Sequence, residues 1–456
     1  MNQLRSEAQL LKKYDVPVPR YTSYPTIPYW NTKEFTTEKW IHAVRRVFDE
    51  TNDSKGISLY VHLPFCESLC TYCACNTRIT KNHTVERQYI QSILNEWNHY
   101  RKIFGKKPTI RELHLGGGTP TFFSSENLKW LVSSLMDHAT IHDEYEFSFE
   151  GHPNNTTREH LQTLFDLGFT RVSFGVQDMD EKVQKTINRI QPFQNLKTVT
   201  DSSRAIGYSS IGFDLIYGLP FQTPLTIIDT FEKVLTLRPD RVAFYSYAHV
   251  PWIKPGQRGY EDKDLPSDVV KRLLYETGRS MLKAEGYEDI GMDHFALRHD
   301  SIWQAQVQGT LHRNFMGYTT NKTELLIGLG CSAISDAKYA YAQNSKKVED
   351  YEQTLSNERL AVFKGHIHTD KDLHLKNCIL EIACQGKISF GNLIQVEQDT
   401  ITGALTTFCN EGILTSSKQG YHVTEFGRAF IRNICAAFDL RRILSPEPSY
   451  LFSKAI

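Results

Sequence analysis

From about residue 57 the chain alternates apolar, β-branched runs with stretches spaced for helices. The runs are "ISLYVHLPF", "IRELHLGGGTPT", "EFSFEGHP", "RVSFGVQ", "IGFDLIYGLP" and "RVAFYSYAHVP", and each ends in Gly, Pro or polar residues. Between them, "ERQYIQSILNEWNHYRKIF" and "SSENLKWLVSSLMDHA" repeat apolar residues at three- and four-residue steps, the second opening on Ser124 or Ser125 as an N-cap. Six strands alternating with helices predict an α/β fold built on a parallel sheet or barrel. Ligands of such folds gather at the carboxyl ends of the strands. The unusual residues of this chain fall there: a cysteine cluster after the first run, a triple glycine after the second, Glu150 and Gln177 ending the third and fourth, and Asp214 in the fifth. Five special strand ends predict one site.

The last ninety or so residues change character. "KDLHLKNCILEIACQGKIS" and "TITGALTTFCNEGIL" read as helices, and "GILTSSKQGYHVTEFGRAFIRNI" as a hairpin followed by a helix, an order that resembles a winged helix. From His366 onward nine Lys and Arg face nine Asp and Glu, whereas a DNA reader is basic on one face. A lid or packing domain is therefore expected. The pattern divides the chain into an N-terminal arm (residues 1–45), a catalytic domain (46–355) and a helical C-terminal domain (356–456).

Composition narrows the class. With 456 residues, 23% charged, 12% aromatic and zero net charge, the chain has ordinary globular usage and no global pull toward nucleic acid or an anionic membrane. It has no apolar run of about twenty residues and no signal-peptide core. A soluble, cytoplasmic protein with reduced thiols is expected. Five of the nine cysteines (Cys331, Cys378, Cys384, Cys409, Cys435) are scattered singly and read as small buried hydrophobes.

The other four, Cys66, Cys70, Cys73 and Cys75, lie within ten residues. Three readings compete: a closed zinc site, redox thiols without the compact βαβ pattern of a thioredoxin, or three ligands to a [4Fe–4S] cluster with its fourth iron open. The run "LHLGGGTPT" one strand later favours the last, since consecutive glycines let backbone approach a ligand and exposed amides can bind a carboxylate.

The C-x3-C-x2-C loop, with Tyr72 before its third cysteine and the glycine run next, resembles a radical S-adenosylmethionine (SAM) enzyme. Adding Cys75, "RYTSYPT", "HLGGGTPT", "SFGVQD", "FDLIYGLP", "HRNFMGYTT" and "GLGCSAIS", the chain resembles the oxygen-independent coproporphyrinogen III oxidases along nearly its whole length. The resemblance implies a partial parallel (β/α)6 barrel with an N-terminal arm and a winged-helix-like C-terminal domain. It implies that Cys66, Cys70 and Cys73 ligate the cluster and that SAM completes it, one or two molecules per chain. It places Tyr60 beside the sulfonium, Tyr72 near adenine, and Gly117, Gly118 and Thr119 at the methionine end. Glu150, Gln177, Arg189, Asp214, Ala248 and Ile334 complete the SAM sites. A 5′-deoxyadenosyl radical would take a hydrogen from the β-carbon of a propionate, and loss of carbon dioxide and one electron would leave a vinyl group. Done twice, this turns coproporphyrinogen III into protoporphyrinogen IX in haem synthesis. An electron donor and an acceptor are required, and a monomer is expected.

Cys75 is left over from the ligand set, either acting on substrate or shaping the loop. Arg20 and Arg313 are candidates to meet the substrate's propionates. One departure stands out: the family pattern has Gln after Phe315, and here Met316 follows, exchanging an amide for a thioether where a second SAM is expected to bind. The alternatives within the same scaffold are a haem-trafficking protein, against which Cys75 and the "RYTSYPT" arm argue, and a radical methyltransferase or haem-opening enzyme.

Overall fold

The computed structural model describes residues 7–393, 398–445 and 452–455. All six predicted strands form: β1 (Ile57–Leu63), β2 (Thr109–Gly117), β3 (Thr140–Gly151), β4 (Phe169–Gln177), β5 (Ser210–Tyr217) and β6 (Arg241–Ser246). Each pairs in parallel with the next. Their two-residue period sorts the side chains. Leu113, Leu115, Phe147, Phe149, Val172, Phe174, Ile211, Phe213, Val242 and Phe244 join a buried core with Ile90, Leu128, Leu161, Leu196 and Phe231 of the intervening helices. Burial of each such large side chain contributes about 1.5–3 kcal/mol. The alternate positions, among them Glu112, His114, Glu150, Ser173, Asp214 and Tyr245, face an interior space instead. The helix Ser125–Met136 starts as expected, with Ser124 accepting a hydrogen bond from the Asn127 N–H at 3.2 Å.

The sheet extends past both ends of this parallel set. Leu326–Leu329 adds in parallel beside β1, followed by Ile334–Asp336, Ala340–Asn344 and Val362–Ile367 in antiparallel order. His294–Leu297 and Tyr287–Gly291 extend the β6 side. The resulting twelve-stranded sheet has two free edges, so the barrel is partial. The helix Thr37–Lys55 crosses the expected 45/46 boundary, and Val362–Ile367, beyond the expected 355/356 boundary, belongs to the main sheet.

The C-terminal region holds the predicted helices, Asp370–Gln385 and Gln398–Asn410, and the predicted hairpin, Leu414–Ser416 with Gly420–Val423. The helix expected after the hairpin forms at Ile431–Ala437, and Lys387–Ser389 adds a third strand. This region shares one hydrophobic core with the arm and the barrel edge: Val18, Tyr21 and Tyr24 pack with Leu311, Tyr318, Leu375, Ile379 and Ile434. Polar clamps reinforce it. Asp372 takes two 2.8 Å hydrogen bonds from Arg441 and contacts His366 Nε2 at 3.2 Å, while His366 Nδ1 accepts from the Asn31 N–H at 3.0 Å. Arg432 donates to the carbonyls of Val18, Pro19, Ser453 and Lys454. Among the described residues no helix is long and apolar enough to cross a membrane.

Candidate active site

The cysteine loop leaves β1 at Pro64 and is closed at its base, where Phe65–Cys66 pairs with Arg78–Ile79. It is pinned from several sides. Asn188 Nδ2 donates to the Leu69 carbonyl at 2.7 Å, the Thr71 N–H to the Ile187 carbonyl at 3.0 Å, and Asn76 Nδ2 to the Lys346 carbonyl at 2.9 Å. His62 Nε2 lies 2.9 Å from the Asn76 carbonyl. No cysteine of the chain is in a disulfide. Among the described residues no three Cys, His, Asp or Glu side chains converge on the spacing of a single metal ion.

The triple glycine packs directly beneath this loop. A Cβ on Gly118 would sit 2.5 Å from the Pro64 carbonyl oxygen, one on Gly117 2.8 Å from His62, and one on Gly116 3.0 Å from the Tyr60 ring. Gly117 also has φ +119°, a conformation that favours glycine. The N–H groups of Gly117, Gly118 and Thr119 donate to Glu150 (3.2 Å), Leu63 O (2.8 Å) and Phe65 O (3.1 Å). The expectation that these amides are free to bind a ligand carboxylate is therefore corrected: close approach of β2 to the chain leaving β1 uses those of Gly118 and Thr119, and the chain's own Glu150 takes that of Gly117. What remains for a ligand is the glycine Cα surface and the Thr119 hydroxyl, which is 3.4 Å from Cys66 Sγ.

Loop, glycines and strand ends enclose a cavity of about 510 Å³. All four clustered cysteines line it, with Tyr72, Gly117, Gly118, Thr119, Glu150, Gln177, Arg189 and Asp214. Arg189 donates to the Gly175 carbonyl at 2.6 Å and approaches Cys70 Sγ at 3.5 Å, while its buried Nε has no hydrogen-bond partner. Burial, then the charge of Glu150, pushes the Asp214 carboxyl up to about 7, against the Ser173 hydroxyl, Arg189 and His114. Glu150 goes the other way. Burial pushes its carboxyl up, but a hydrogen bond and charge from His114, the Gly117 N–H and His62 together hold it below the ordinary value. Cys75 hydrogen-bonds Cys73 and draws that thiol down to about 6, whereas burial pushes Cys66 up to about 11.

Residues 60–234 match the family model described as "Radical SAM superfamily". The chain is 37% identical to the oxygen-independent coproporphyrinogen III oxidase of Pseudomonas aeruginosa, with all of both chains covered. It is 35% identical to the Escherichia coli enzyme of the same name, over 96% of each. The solved structure of the Escherichia coli coproporphyrinogen III oxidase, described as a radical SAM enzyme, superposes with a TM-score of 0.88 at 33% identity, covering 96% of this chain and 99% of that one. The chain belongs to the oxygen-independent coproporphyrinogen III oxidases.

A radical SAM oxidase of this family implies a [4Fe–4S] cluster and SAM. The donor set fits both groups. Three unbridged thiols share one pinned loop, and beside them lie an orphaned buried guanidinium N–H and two carboxylates facing one cavity.

In this oxidase three residues expected at the SAM site stand off the cavity wall. Tyr60 lies behind Gly116, its ring stacked on His114 at 5.9 Å and its hydroxyl 3.1 Å from His62 Nδ1. Ile334 lies further along that row, its backbone close against Gly328, the register partner of Tyr60. Ala248 is in the loop after β6, its carbonyl accepting from Gln257 Nε2 at 3.2 Å. Several residues that motif reading passed over shape the site. His114 touches Glu150 at 3.4 Å, Gln257 ties the Tyr72 and Ala248 carbonyls together, and Tyr245 lines both this cavity and an inner chamber of about 160 Å³. The alternation of β2, which puts Glu112 and His114 on one face, and of β6, which turns Tyr245 inward, was the available signal.

Proposed function

We infer that this chain carries out the oxygen-independent oxidation of coproporphyrinogen III in haem biosynthesis, converting two propionates to vinyl groups. One observation carries the reading: in a chain related to those oxidases along its full length, the cysteine loop, the glycine run and the polar ends of β3, β4 and β5 enclose one cavity. Bound there, the [4Fe–4S] cluster and SAM supply the one-electron chemistry that opens a substrate C–H bond.

The chain's own residues divide the remaining work. Cys66, Cys70 and Cys73 hold the cluster, on a loop fixed by Asn188, His62 and Asn76. Arg189, with its free Nε, receives the amino acid carboxylate, and Thr119 offers a hydroxyl beside it. Glu150 and Asp214 accept from ribose hydroxyls, and Tyr72 presents an aromatic face. Gln177 closes the wall at the end of β4, Tyr60 backs the sulfonium end, and Ala248 and Ile334 support the site from behind the wall. Cys75, exposed and lining the same cavity, stays outside the cluster set and is proposed to act on the substrate side.

One SAM per chain is proposed. A cavity of about 510 Å³ suits a single ligand of that size. The adjoining chamber, about 160 Å³ and lined by Met316, falls below the roughly 300–1,000 Å³ of pockets that enclose such ligands. Equilibrium dialysis of the reconstituted protein is expected to saturate near one, and two would overturn this count. The protein is proposed to act as a cytoplasmic monomer with a separate electron donor and acceptor.

The test of the reading is anaerobic turnover. Protein reconstituted with iron and sulfide is given SAM, a reductant, coproporphyrinogen III and a cell extract as electron acceptor. Protoporphyrinogen IX and 5′-deoxyadenosine are expected together. 5′-Deoxyadenosine with untouched coproporphyrinogen would keep the cofactor assignment and overturn the substrate.

A further inference from the structure

The two arginines singled out in the sequence have different surroundings. Arg20 is compensated: Nη1 pairs with Asp293 at 2.8 Å, Nη2 donates to the Ser246 carbonyl at 3.2 Å, and the guanidinium lies 5.3 Å from the centre of the Tyr245 ring. Arg313, at the start of the short hairpin formed by His312–Asn314 and Gly317–Thr319, is 5% exposed. Its Nε and Nη1 have no hydrogen-bond partner, and Nη2 makes only a long 3.4 Å contact to the Arg20 carbonyl. Among the described residues no carboxylate pairs with it.

The groups around Arg313 do not offset its charge. It lies 4.5 Å from the centre of the Tyr318 ring, and a cation–π contact compensates only a small part of what burial of a guanidinium costs. His294 is kept neutral, its imidazole pushed down to about 3 by burial and by Arg313, Arg20 and Arg241. Burial pushes the Cys384 thiol up to about 12 and Cys435 and Tyr245 up as well. Asp293 is taken by Arg20. A buried cation with two unfilled donors is normally matched by an anion.

Its position says which anion. Tyr318 packs edge-on against His294 (ring centroids 5.2 Å apart), and His294 Nε2 lies 3.3 Å from the Tyr245 hydroxyl. Tyr245 is a wall of the cofactor cavity, so an unbroken row of rings runs from that wall to the guanidinium. Resting on the substrate reading above, we propose that Arg313 anchors a propionate of coproporphyrinogen III that is not being decarboxylated. The reaction removes two of four carboxylates, so a substrate held in one orientation is held by those it keeps. Arg20, through its carbonyl and its stacking on Tyr245, positions this anchor from the arm side.

The experiment uses coproporphyrin III, the air-stable oxidised form of the macrocycle, and its tetramethyl ester. Binding is followed by fluorescence with the reconstituted holoenzyme, the Arg313→Met variant and the Arg313→Lys variant. Arg313→Met removes an uncompensated charge at similar length, so the fold is expected to persist. Iron content and substrate-free 5′-deoxyadenosine formation at the wild-type level check this, and Arg313→Lys, which keeps the charge, is the second probe. The expected result is a roughly ten- to hundredfold loss of coproporphyrin III affinity in Arg313→Met, a smaller loss in Arg313→Lys, and equal affinity of all three proteins for the ester. Equal coproporphyrin III affinity of wild type and Arg313→Met overturns the anchor while leaving the substrate reading standing. No coproporphyrin III binding by the wild type, with cofactor cleavage intact, overturns both.

Discussion

At the residue scale the site depends on how closely β2 can press against the cysteine loop. Gly118 is the tightest point, and Gly118→Ala places a methyl 2.5 Å from the Pro64 carbonyl oxygen. Overpacking of this kind costs about 1–3 kcal/mol, and here relief must come from the loop proposed to bear the cluster ligands. The variant is expected to fold but to reconstitute with less iron and to form 5′-deoxyadenosine at least tenfold more slowly, checked by iron analysis and chromatography. The ligand assignment makes a sharper contrast. Cys70→Ser should lose the cluster, whereas Cys75→Ser should keep its iron and its substrate-free cofactor cleavage yet lose most turnover of coproporphyrinogen III. Asp214 adds a pH signature. Its carboxyl, pushed up to about 7 by burial and by Glu150, gains a proton as pH falls and then accepts hydroxyl hydrogen bonds less well. SAM affinity is expected to fall by up to about tenfold per pH unit below 7, and Asp214→Asn to flatten that profile; an unchanged slope in the variant would place the titration elsewhere. Most of these residues were legible because strand-end chemistry repeats in sequence. The use of the glycine amides was not, because it depends on how far β2 slides past β1.

At the scale of elements, the six long strands were readable from their apolar period and their Gly and Pro terminators. The six flanking strands were not. All but one are three to five residues long, too short for a period to stand out, and they exist because a neighbouring strand offers its edge. The link between arm, sheet and C-terminal domain was also hidden, since it is made of single polar residues far apart in sequence. Asp372 is its centre. Burial raises its carboxyl, but hydrogen bonds from His366, Arg441 and the Thr369 N–H outweigh that and hold it far below the ordinary carboxylate range. A depressed carboxyl contributes stability fully above about pH 4 and loses it as pH falls below that value. Asp372→Ala leaves His366 and Arg441 without their acceptor and is expected to cost about 3 kcal/mol. The arm should loosen with it, read as faster hydrogen exchange over residues 17–31 than in the wild type. Unchanged exchange there would mean that the shared apolar core, not this clamp, holds the arm.

At the scale of the whole molecule, the partial barrel holds its cofactor cavity at one end of a polar interior. The arm and the C-terminal domain pack as one core against the barrel edge beside Tyr318 and Arg313. Zero net charge is consistent with the proposal that buried arginines, Arg189 and Arg313, meet the anionic groups of cofactor and substrate in place of a charged surface. The central claim is that the cavity beneath the cysteine loop delivers a hydrogen-abstracting reaction to a propionate side chain. Coproporphyrinogen III deuterated at the propionate β-carbons tests it most directly, with mass analysis of the 5′-deoxyadenosine formed anaerobically by the reconstituted protein. Deuterium in 5′-deoxyadenosine, in step with vinyl product, is the predicted result. 5′-Deoxyadenosine formed without deuterium, while the labelled porphyrinogen is consumed, would contradict it.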